Sequence, residues 1–188
     1  MCRTRPPNYT RARHAGVYEG PLREAIHALK FNGCRMMAAP LGDLVATVVE
    51  GDARLHADLV VPVPLHPSRH RQRGFNQAEF LGQRVSQALH LPLDGALLRR
   101  AHATDVQSSL TREARRTNVA GAFVCAAPIT GRRAVLLVDD VMSTGSTASE
   151  CARVLRLAGA ADVVVATVAA AVLPSLPECS PSRKRTPG

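Results

Sequence analysis

The stretch AVLLVDDVMSTGSTASECARVLRL spans Ala134 to Leu157. Five apolar residues, Ala134 to Val138, lead directly into two adjacent carboxylates, Asp139 and Asp140. A loop of small hydroxyl and glycine residues follows, and an amphipathic helical pattern comes after the loop. A short, continuously apolar run before a helical period is typical of a buried parallel strand and its crossover helix. The stretch therefore predicts a strand, a loop and a helix N-terminus in succession.

The predicted loop is suited to an anion. Backbone N–H groups in the first turn of a helix lack partners within the helix and carry the positive end of its dipole. A phosphate is the usual ligand of such a loop. The loop is not of the Walker A type, because no Lys follows Gly145. The alternative interpretation is a plain strand-to-helix turn, with Ser146 as the N-cap and Asp139 and Asp140 solvated at the strand end.

Strand and helix patterns alternate through the remaining chain, which predicts an α/β domain with a mostly parallel central sheet flanked by helices. In such sheets ligands bind at the carboxyl ends of the strands. Three helices are predicted: one from Pro21 to its end at Gly33, with Leu22, Ile26 and Leu29 on one face, one from Leu41 to Glu50 that includes Leu44, and one capped by Asn76, with Ala78, Leu81, Val85 and Leu89 on its apolar face. The first predicted strand lies within Asp58–Pro64. Short strands are predicted at Leu97–Leu98 and Ala122–Val124, and a longer strand from Val163 to Val168.

Three regions are predicted along the chain. Residues 1–15 are basic, contain two adjacent prolines and indicate an extended lead-in. Residues 16–173 form the predicted folded domain, and residues 174–188 a disordered basic tail. Within the domain, residues 99–118 are polar almost throughout, which indicates either a disordered connection or a functional flap.

Composition narrows the class of partner. Lys and Arg number 24 against 15 acidic residues, so the formal net charge is +9 and polyanionic or phosphorylated ligands are favoured. Aromatic residues are scarce, with no Trp, which weakens a base-stacking surface for single-stranded nucleic acid. The five cysteines are an odd number without a C-x-x-C pair, which predicts reduced thiols in a cytoplasmic protein. No apolar run approaches the length of a membrane span, and the first residues do not form a secretory signal.

The run from Val138 to Thr147 resembles the phosphoribosyl pyrophosphate (PRPP) signature of type I phosphoribosyltransferases. The resemblance implies that Asp139 and Asp140 contact the ribose hydroxyls, as the catalytic acid pair. It also implies that the following loop binds the 5′-phosphate, through Ser143, Thr144, Gly145, Ser146 and Thr147. The chemistry agrees, because carboxylates accept from sugar hydroxyls while loop amides and hydroxyls donate to phosphate.

A second resemblance narrows the family. Val61-Pro62-Val63-Pro64-Leu65 and Arg71-Gln72-Arg73-Gly74-Phe75-Asn76-Gln77-Ala78 match the V-P-V-P-L and R-x-R-G-F-N-Q pattern of the ComF (GntX-like) proteins. The segments from Tyr18 to Phe31 and from Gln107 to Asn118 are similar too, so the likeness covers about Arg3 to Val172. Members of this family have a type I phosphoribosyltransferase fold and are associated with DNA uptake or DNA utilisation.

The family implies further site residues. The segment after the first predicted strand would help to bind pyrophosphate, through Leu65, His66, Pro67, Ser68 and Arg69. Arg69, Arg71 and Arg73 are fixed charges suited to phosphate oxygens, and the alternative for each of them is a solvated basic loop. Residues 99–118 match the flexible loop that closes over PRPP, and their polar candidates are Gln107, Ser108, Arg112, Arg115, Arg116 and Asn118. We expect Phe75 to be a core residue, Asn76 an N-cap and Gln77 a first-turn residue.

The resemblance implies an Mg²⁺ ion bridging pyrophosphate and ribose oxygens, and no metal held by the chain alone. ComF proteins usually begin with a four-cysteine zinc ribbon, of which only Cys2 stands here. Two hypotheses on function follow: a phosphoribosyltransferase that releases pyrophosphate, or a noncatalytic accessory module that contacts single-stranded DNA and a helicase-like partner. A base-salvage enzyme is disfavoured because no base-binding hood is recognisable. The acceptor and a homo-oligomeric state stay open.

Overall fold

The computed structural model describes residues 6–31, 34–100, 119–131 and 133–171. Several predicted features lie outside the described residues. They are Gly33, the tail at 174–188 and the polar candidates of the predicted flap, namely Gln107, Ser108, Arg112, Arg115, Arg116 and Asn118.

A four-stranded, fully parallel sheet forms the centre of the domain. In chain order its strands are β1 (Arg11–Val17), β2 (Leu59–Pro62), β5 (Ala134–Met142) and β6 (Asp162–Ala170), and their order across the sheet is β1-β6-β5-β2. Every neighbouring pair is parallel. A separate antiparallel pair consists of β3 (Leu98–Arg100) and β4 (Phe123–Cys125). The predicted α/β class with a central parallel sheet is confirmed.

Helices cover both faces of this sheet. One face packs against α1 (Gly20–Phe31), α2 (Ala38–Glu50) and α4 (Gln77–Leu89), and the other against α5 (Ser146–Leu157) and the β3–β4 pair. The side chains of β5 alternate between these two faces. Leu136 and Val138 pack on the face covered by α1, α2 and α4, whereas Val135 and Leu137 pack on the face covered by α5, and all four are fully buried. Two-sided burial explains why this strand is a continuous apolar run rather than an alternating one.

The helical faces predicted from spacing are largely those observed. Ile26 and Leu29 of α1 are fully buried, as are Leu81 and Val85 of α4. The Asn76 side chain accepts from the Ala78 N–H at 3.1 Å, which confirms the predicted N-cap. Leu44 belongs to the predicted helical pattern of α2, but its side chain is 46% exposed.

Two segments differ from expectation. Residues 11–15 were predicted to belong to an extended lead-in, but Arg11–Val17 is the edge strand β1, which pairs with β6. The sheet therefore begins before residue 16. Leu59–Pro62, predicted as the first strand, is the second strand along the chain. The sequence RARHAGV does not show the alternation of apolar and polar residues that predicts a strand. β1 is stabilised instead by hydrogen bonds to β6 and by the Arg13–Asp52 ion pair, which the sequence pattern does not reveal. The basic segment after β2, predicted to be a loop, contains α3 (Pro67–Arg73), which begins with Pro67 and ends at Gly74 with φ +75°.

The α2–α4 contact provides a test of this packing. A Cβ at Gly42 would lie 2.6 Å from Arg84 Cβ and 3.4 Å from the Leu81 carbonyl oxygen. We expect Gly42→Val to lower the free energy of unfolding by about 1–3 kcal/mol through overpacking, measured by urea denaturation. The control is Gly95→Ala, whose Cβ would meet nothing closer than 3.5 Å. Equal stability of Gly42→Val and wild type would contradict the close approach of the two helices.

Candidate functional site

The two adjacent acids lie within β5 and point to opposite faces of the sheet. The strand extends to Met142 because β6 runs beside it that far, with Asp139 opposite Thr167 and Met142 opposite Ala170. Successive side chains of a strand point to opposite faces. Asp139 consequently lies on the α5 side with the loop, whereas Asp140 lies on the α1 and α4 side and is 4% exposed. The alternative in which both acids are solvated at the strand end was wrong.

Asp139 and the predicted phosphate loop line one pocket. The pocket is small and open to solvent, and its walls are Asp139, Thr167, Ala148 and every residue of 141–147. The five loop residues singled out from the sequence, Ser143 to Thr147, are therefore brought together with one of the two acids. A carboxylate acceptor on one side and amide and hydroxyl donors on the other suit a phosphorylated, hydroxyl-bearing ligand.

The backbone of the loop exposes the start of α5. Gly145 precedes the helix with φ +72°, a conformation that favours glycine, and it has no side chain with which to cap the first turn. Ser146, expected as the N-cap in the alternative interpretation, is instead the first helical residue, and its hydroxyl lies 2.9 Å from that of Thr144. The helix start, its dipole and two hydroxyls thus face the same pocket.

Thr167 completes the floor of the pocket and depends on β1. Its hydroxyl donates to the Ala169 carbonyl at 3.0 Å and lies 2.8 Å from His14 Nδ1. Because a hydroxyl has one hydrogen, His14 Nδ1 must be the donor in the second contact. Burial lowers the pKa of His14, and the charge of Arg13 lowers it further, which favours the neutral ring with its proton on Nδ1.

The segment before β1 lies along the loop and α5. Asn8 donates to the Ser149 carbonyl and hydroxyl at 3.2 and 3.1 Å, and Arg156 Nε donates to the Asn8 carbonyl at 2.7 Å. The Tyr9 hydroxyl lies 3.9 Å from Met142 Sδ and 3.0 Å from the position that a Cβ of Gly145 would take. Residues of the predicted extended lead-in therefore pack against the outside of the loop.

On the other face, Asp140 is held by two side chains. Its Oδ1 lies 2.7 Å from Lys30 Nζ of α1, and its Oδ2 accepts from Gln77 Nε2 of α4 at 2.6 Å. Gln77 is 5% exposed and its Oε1 accepts from Arg73 Nη1 at 2.9 Å. The Arg73 guanidinium also stacks 4.8 Å above the Phe31 ring. Both carboxylate oxygens of Asp140 are engaged within the protein.

The predicted pyrophosphate segment is only partly a loop. His66 caps α3, with Nδ1 accepting from the Ser68 N–H at 3.2 Å, and Pro67, Ser68 and Arg69 form the first turn of the helix. Leu65 precedes this cap and is half-buried. Arg69 and Arg71 are exposed, whereas Arg73 is turned inward, where burial lowers its pKa and the Asp140 charge opposes that shift. Arg69 and Arg71 therefore present their charges to solvent, whereas the Arg73 guanidinium is engaged within the protein.

Comparisons with known proteins decide the family. The DNA utilization protein YhgH of Escherichia coli K12 is 38% identical over 173 residues, covering 87% of this chain and 74% of the relative. Competence protein F of Haemophilus influenzae is 32% identical over 170 residues, with the same two coverages. The chain belongs to the ComF family. No protein-family model matches this ComF-family chain.

Solved structures show partial likeness. Glutamine PRPP amidotransferase from B. subtilis is 20% identical, covers 69% of this ComF-family chain and 26% of its own, and gives a TM-score of 0.47. Adenine phosphoribosyltransferase from Trypanosoma brucei is 13% identical, with coverages of 88% and 72% and a TM-score of 0.49. Likeness at this level does not assign an activity.

Sequence reasoning missed the partners of Asp140, although a signal for both was present. Lys30 follows the fully buried Ile26 by four residues, and Gln77 precedes the fully buried Leu81 by four. Residues four apart share a helix face, so both polar groups belong to inward faces of this ComF-family chain. A polar residue on a buried face requires a partner.

The part of the chain that the structure describes lacks two kinds of feature. None of the helices in this part of the chain is long and apolar enough to cross a membrane. Among the same residues, no group of three or more His, Cys, Asp or Glu side chains is placed to hold a metal ion.

Burial raises the pKa of the Asp139 carboxyl to about 7, and the charge of Asp140 adds to the rise, while the Asp140 N–H and Lys30 oppose it. The folded state then retains a proton that the unfolded chain has already lost, from the ordinary carboxyl range up to about pH 7. This contribution to stability is present at low pH and is lost as the pH rises through about 7.

We expect Asp139→Asn, which has no such proton, to become more stable relative to wild type as the pH is raised from about 5 to about 8. Denaturant unfolding at several pH values measures this difference. Ser143→Ala changes the same pocket without an ionisable group and should keep the wild-type pH dependence. Parallel pH profiles for Asp139→Asn and wild type would show that Asp139 does not titrate in this range.

Proposed function

We propose that this chain binds a phosphorylated ribose, with PRPP as the phosphoribosyl donor, in the pocket between Asp139 and the loop 143–147. The observation that supports the proposal most strongly is the placement of an acceptor carboxylate and an uncapped helix start in one pocket. The amides of the loop and the hydroxyls of Thr144 and Ser146 would bind the 5′-phosphate. Asp139 would accept from a ribose hydroxyl.

The proposed reaction is phosphoribosyl transfer. A nucleophile forms a bond to ribose C1 while the bond from C1 to the pyrophosphate oxygen breaks, so pyrophosphate leaves with both electrons of that bond. The developing positive charge at C1 is stabilised by a nearby carboxylate, of which Asp139 is the candidate. The ComF relatives are named for DNA utilisation and competence, so they specify neither the reaction nor its acceptor.

Magnesium is the cation that this chemistry uses. The pocket presents oxygen donors, namely the Asp139 carboxylate and the hydroxyls of Ser143, Thr144, Ser146 and Thr147, which suit a hard cation that arrives with a substrate. The Asp139 carboxylate and these hydroxyls would face the ion, which would supply charge neutralisation on the leaving pyrophosphate. The protein residues would orient the phosphate and the sugar.

Calorimetry with PRPP in magnesium buffer at about pH 8, above the pKa of about 7 at which Asp139 ionises, tests the proposal. We expect wild type to bind and Asp139→Asn to bind at least about tenfold more weakly, because a charged acceptor to the sugar hydroxyls is lost. Asp43→Asn is the matched control, since Asp43 is a partly exposed acid on α2 that pairs with Arg84. No binding by wild type, or equal binding by Asp139→Asn, would refute the proposal. A screen of acceptors for pyrophosphate release then identifies the reaction.

A second candidate function is contact with single-stranded DNA, in an accessory role beside a helicase-like partner. Arg69 and Arg71 are exposed on α3 and the net charge is +9, and the relatives are named for DNA utilisation and competence. Arg73 is half-buried, and its guanidinium is already engaged by Gln77 and the Phe31 ring, so a DNA phosphate would compete with these contacts. The DNA contact would therefore involve Arg69 and Arg71 rather than all three arginines.

The salt dependence of binding to a fluorescent single-stranded oligonucleotide tests this candidate. Replacing Arg69 and Arg71 with Gln should weaken binding and reduce the slope of log K against log salt by about 1.4, as two phosphate contacts are lost. The control is Arg54→Gln, which removes an exposed arginine outside α3. Its slope of log K against log salt should stay steeper than that of the variant without Arg69 and Arg71. Absent or salt-insensitive binding by wild type would eliminate DNA as a partner.

A further inference from the structure

The Tyr9 hydroxyl lies against both ends of the turn that leads into α5. Only residues 143–145 separate β5, which ends at Met142, from α5, which begins at Ser146. The Tyr9 hydroxyl donates to Met142 Sδ at 3.9 Å. A Cβ on Gly145 would lie 3.0 Å from the same hydroxyl. One side chain outside the pocket therefore contacts the last residue of the strand and the last residue before the helix.

The segment that carries Tyr9 is anchored on both sides of it. The Asn8 backbone N–H and Nδ2 both donate to Ser149 Oγ at 3.1 Å, which ties the segment to the first turn of α5. The Thr10 hydroxyl donates to Asp162 Oδ1 at 2.9 Å, at the start of β6. Tyr9 is thus held in place by contacts that do not involve the turn.

The turn needs such support because its own sequence is permissive. Gly145 has φ +72° and no side chain, so it loses more conformational freedom on ordering than any other residue would. A loop that is already ordered before the ligand arrives does not lose that freedom on binding, which raises affinity. Burial raises the pKa of the Tyr9 hydroxyl, so this contact stays uncharged near neutral pH.

We propose that Tyr9 is a positioning residue for the phosphate loop, which holds Met142 and Gly145 so that the loop is preformed for the 5′-phosphate. This inference rests on the proposed function. Tyr9 acts through the loop and does not touch the ligand. The segment before β1 therefore belongs to the phosphate-binding machinery and sets part of its affinity.

A double-variant cycle tests the assignment, by calorimetry with PRPP in the same magnesium buffer. Tyr9→Phe removes only the hydroxyl, and we expect about fivefold weaker binding as the loop loses its support. Gly145→Ala strains the turn and places a methyl group against that hydroxyl, so it should bind at least about tenfold more weakly.

The double variant Tyr9→Phe/Gly145→Ala is the decisive member of the cycle. Without the hydroxyl, the nearest Tyr9 atom to the new methyl group is Cζ at 4.0 Å, which is an ordinary contact. We expect the double variant to bind PRPP about threefold or more tightly than Gly145→Ala, although it carries one substitution more. Rescue of this kind identifies the hydroxyl and Gly145 as the coupled pair.

Thr10→Val is the matched control. It removes the hydrogen bond to Asp162 from the same segment without a contact to the turn, so it should lower stability and leave the dissociation constant for PRPP unchanged. Unfolding lowers the number of binding sites per chain, whereas a mispositioned loop changes the dissociation constant at full stoichiometry. Equal weakening by Thr10→Val and Tyr9→Phe would assign the effect to general loosening of the segment and overturn the role of Tyr9.

Tyrosine emission provides a spectroscopic readout of the same contact. The chain contains two Tyr and no Trp, so Tyr18→Phe leaves Tyr9 as the only strongly emitting side chain. We expect the emission of this variant to change as PRPP saturates the loop. Unchanged emission at saturation would contradict a contact between Tyr9 and the occupied loop.

The outcomes are distinct. If wild type does not bind PRPP, the proposed function fails and this inference falls with it. If wild type binds and Tyr9→Phe binds equally well, only the positioning assignment is overturned. A double variant no better than Gly145→Ala would show that Tyr9 does not act through Gly145. If Gly145→Ala does not fold, Tyr9→Phe and the emission of Tyr9 decide.

Discussion

The alternation of side chains along β5 governs the rest of the site. The strand lies between β2 and β6 and pairs with β6 as far as Met142, so its backbone stays extended through both acids. An extended backbone sends Asp139 and Asp140 to opposite faces. One acid is thereby placed beside the phosphate loop, and the other is forced into the helical layer formed by α1, α2 and α4. The packing around each acid then differs because the two faces differ.

A carboxylate in that layer requires compensation. Breaking a buried ion pair by removing one partner typically costs about 3–5 kcal/mol, because the remaining charge stays desolvated. Lys30 and Gln77 satisfy both oxygens of Asp140, and Arg73 satisfies Gln77. The segment R-G-F-N-Q therefore has a structural use beyond capping α4, since its Gln reaches the central strand and Phe75 packs in the core against Phe80.

The pocket side is assembled from distant parts of the chain. Thr167 reaches the floor from β6 and is oriented by His14 of β1, while Tyr9 and Asn8 pack against the loop and α5. The N-terminal residues thus take part in the domain rather than preceding it. Pairing with β6 supplies the hydrogen bonds of β1, and the Arg13–Asp52 ion pair ties the strand to the end of α2.

Several features followed from the sequence alone. Apolar runs bounded by loops predicted β5 and β6, helical spacing predicted the inward faces of α1 and α4, Asn76 was recognised as an N-cap, and the loop 143–147 was placed at a helix start. These features depend on local sequence patterns, which can be recognised in a single sequence. Three features were not predicted. They are the inward position of Gln77 and Lys30, the strand at Arg11–Val17, and the placement of Asp139 and Asp140 on opposite faces of the sheet. Each depends on a partner far away in sequence: β6 extends β5 past Val138 and pairs with β1, and β5 brings Asp140 to α1 and α4. Only the tertiary structure decided which acid faces the pocket, because strand length is set by the neighbouring strand and side-chain direction follows from strand length.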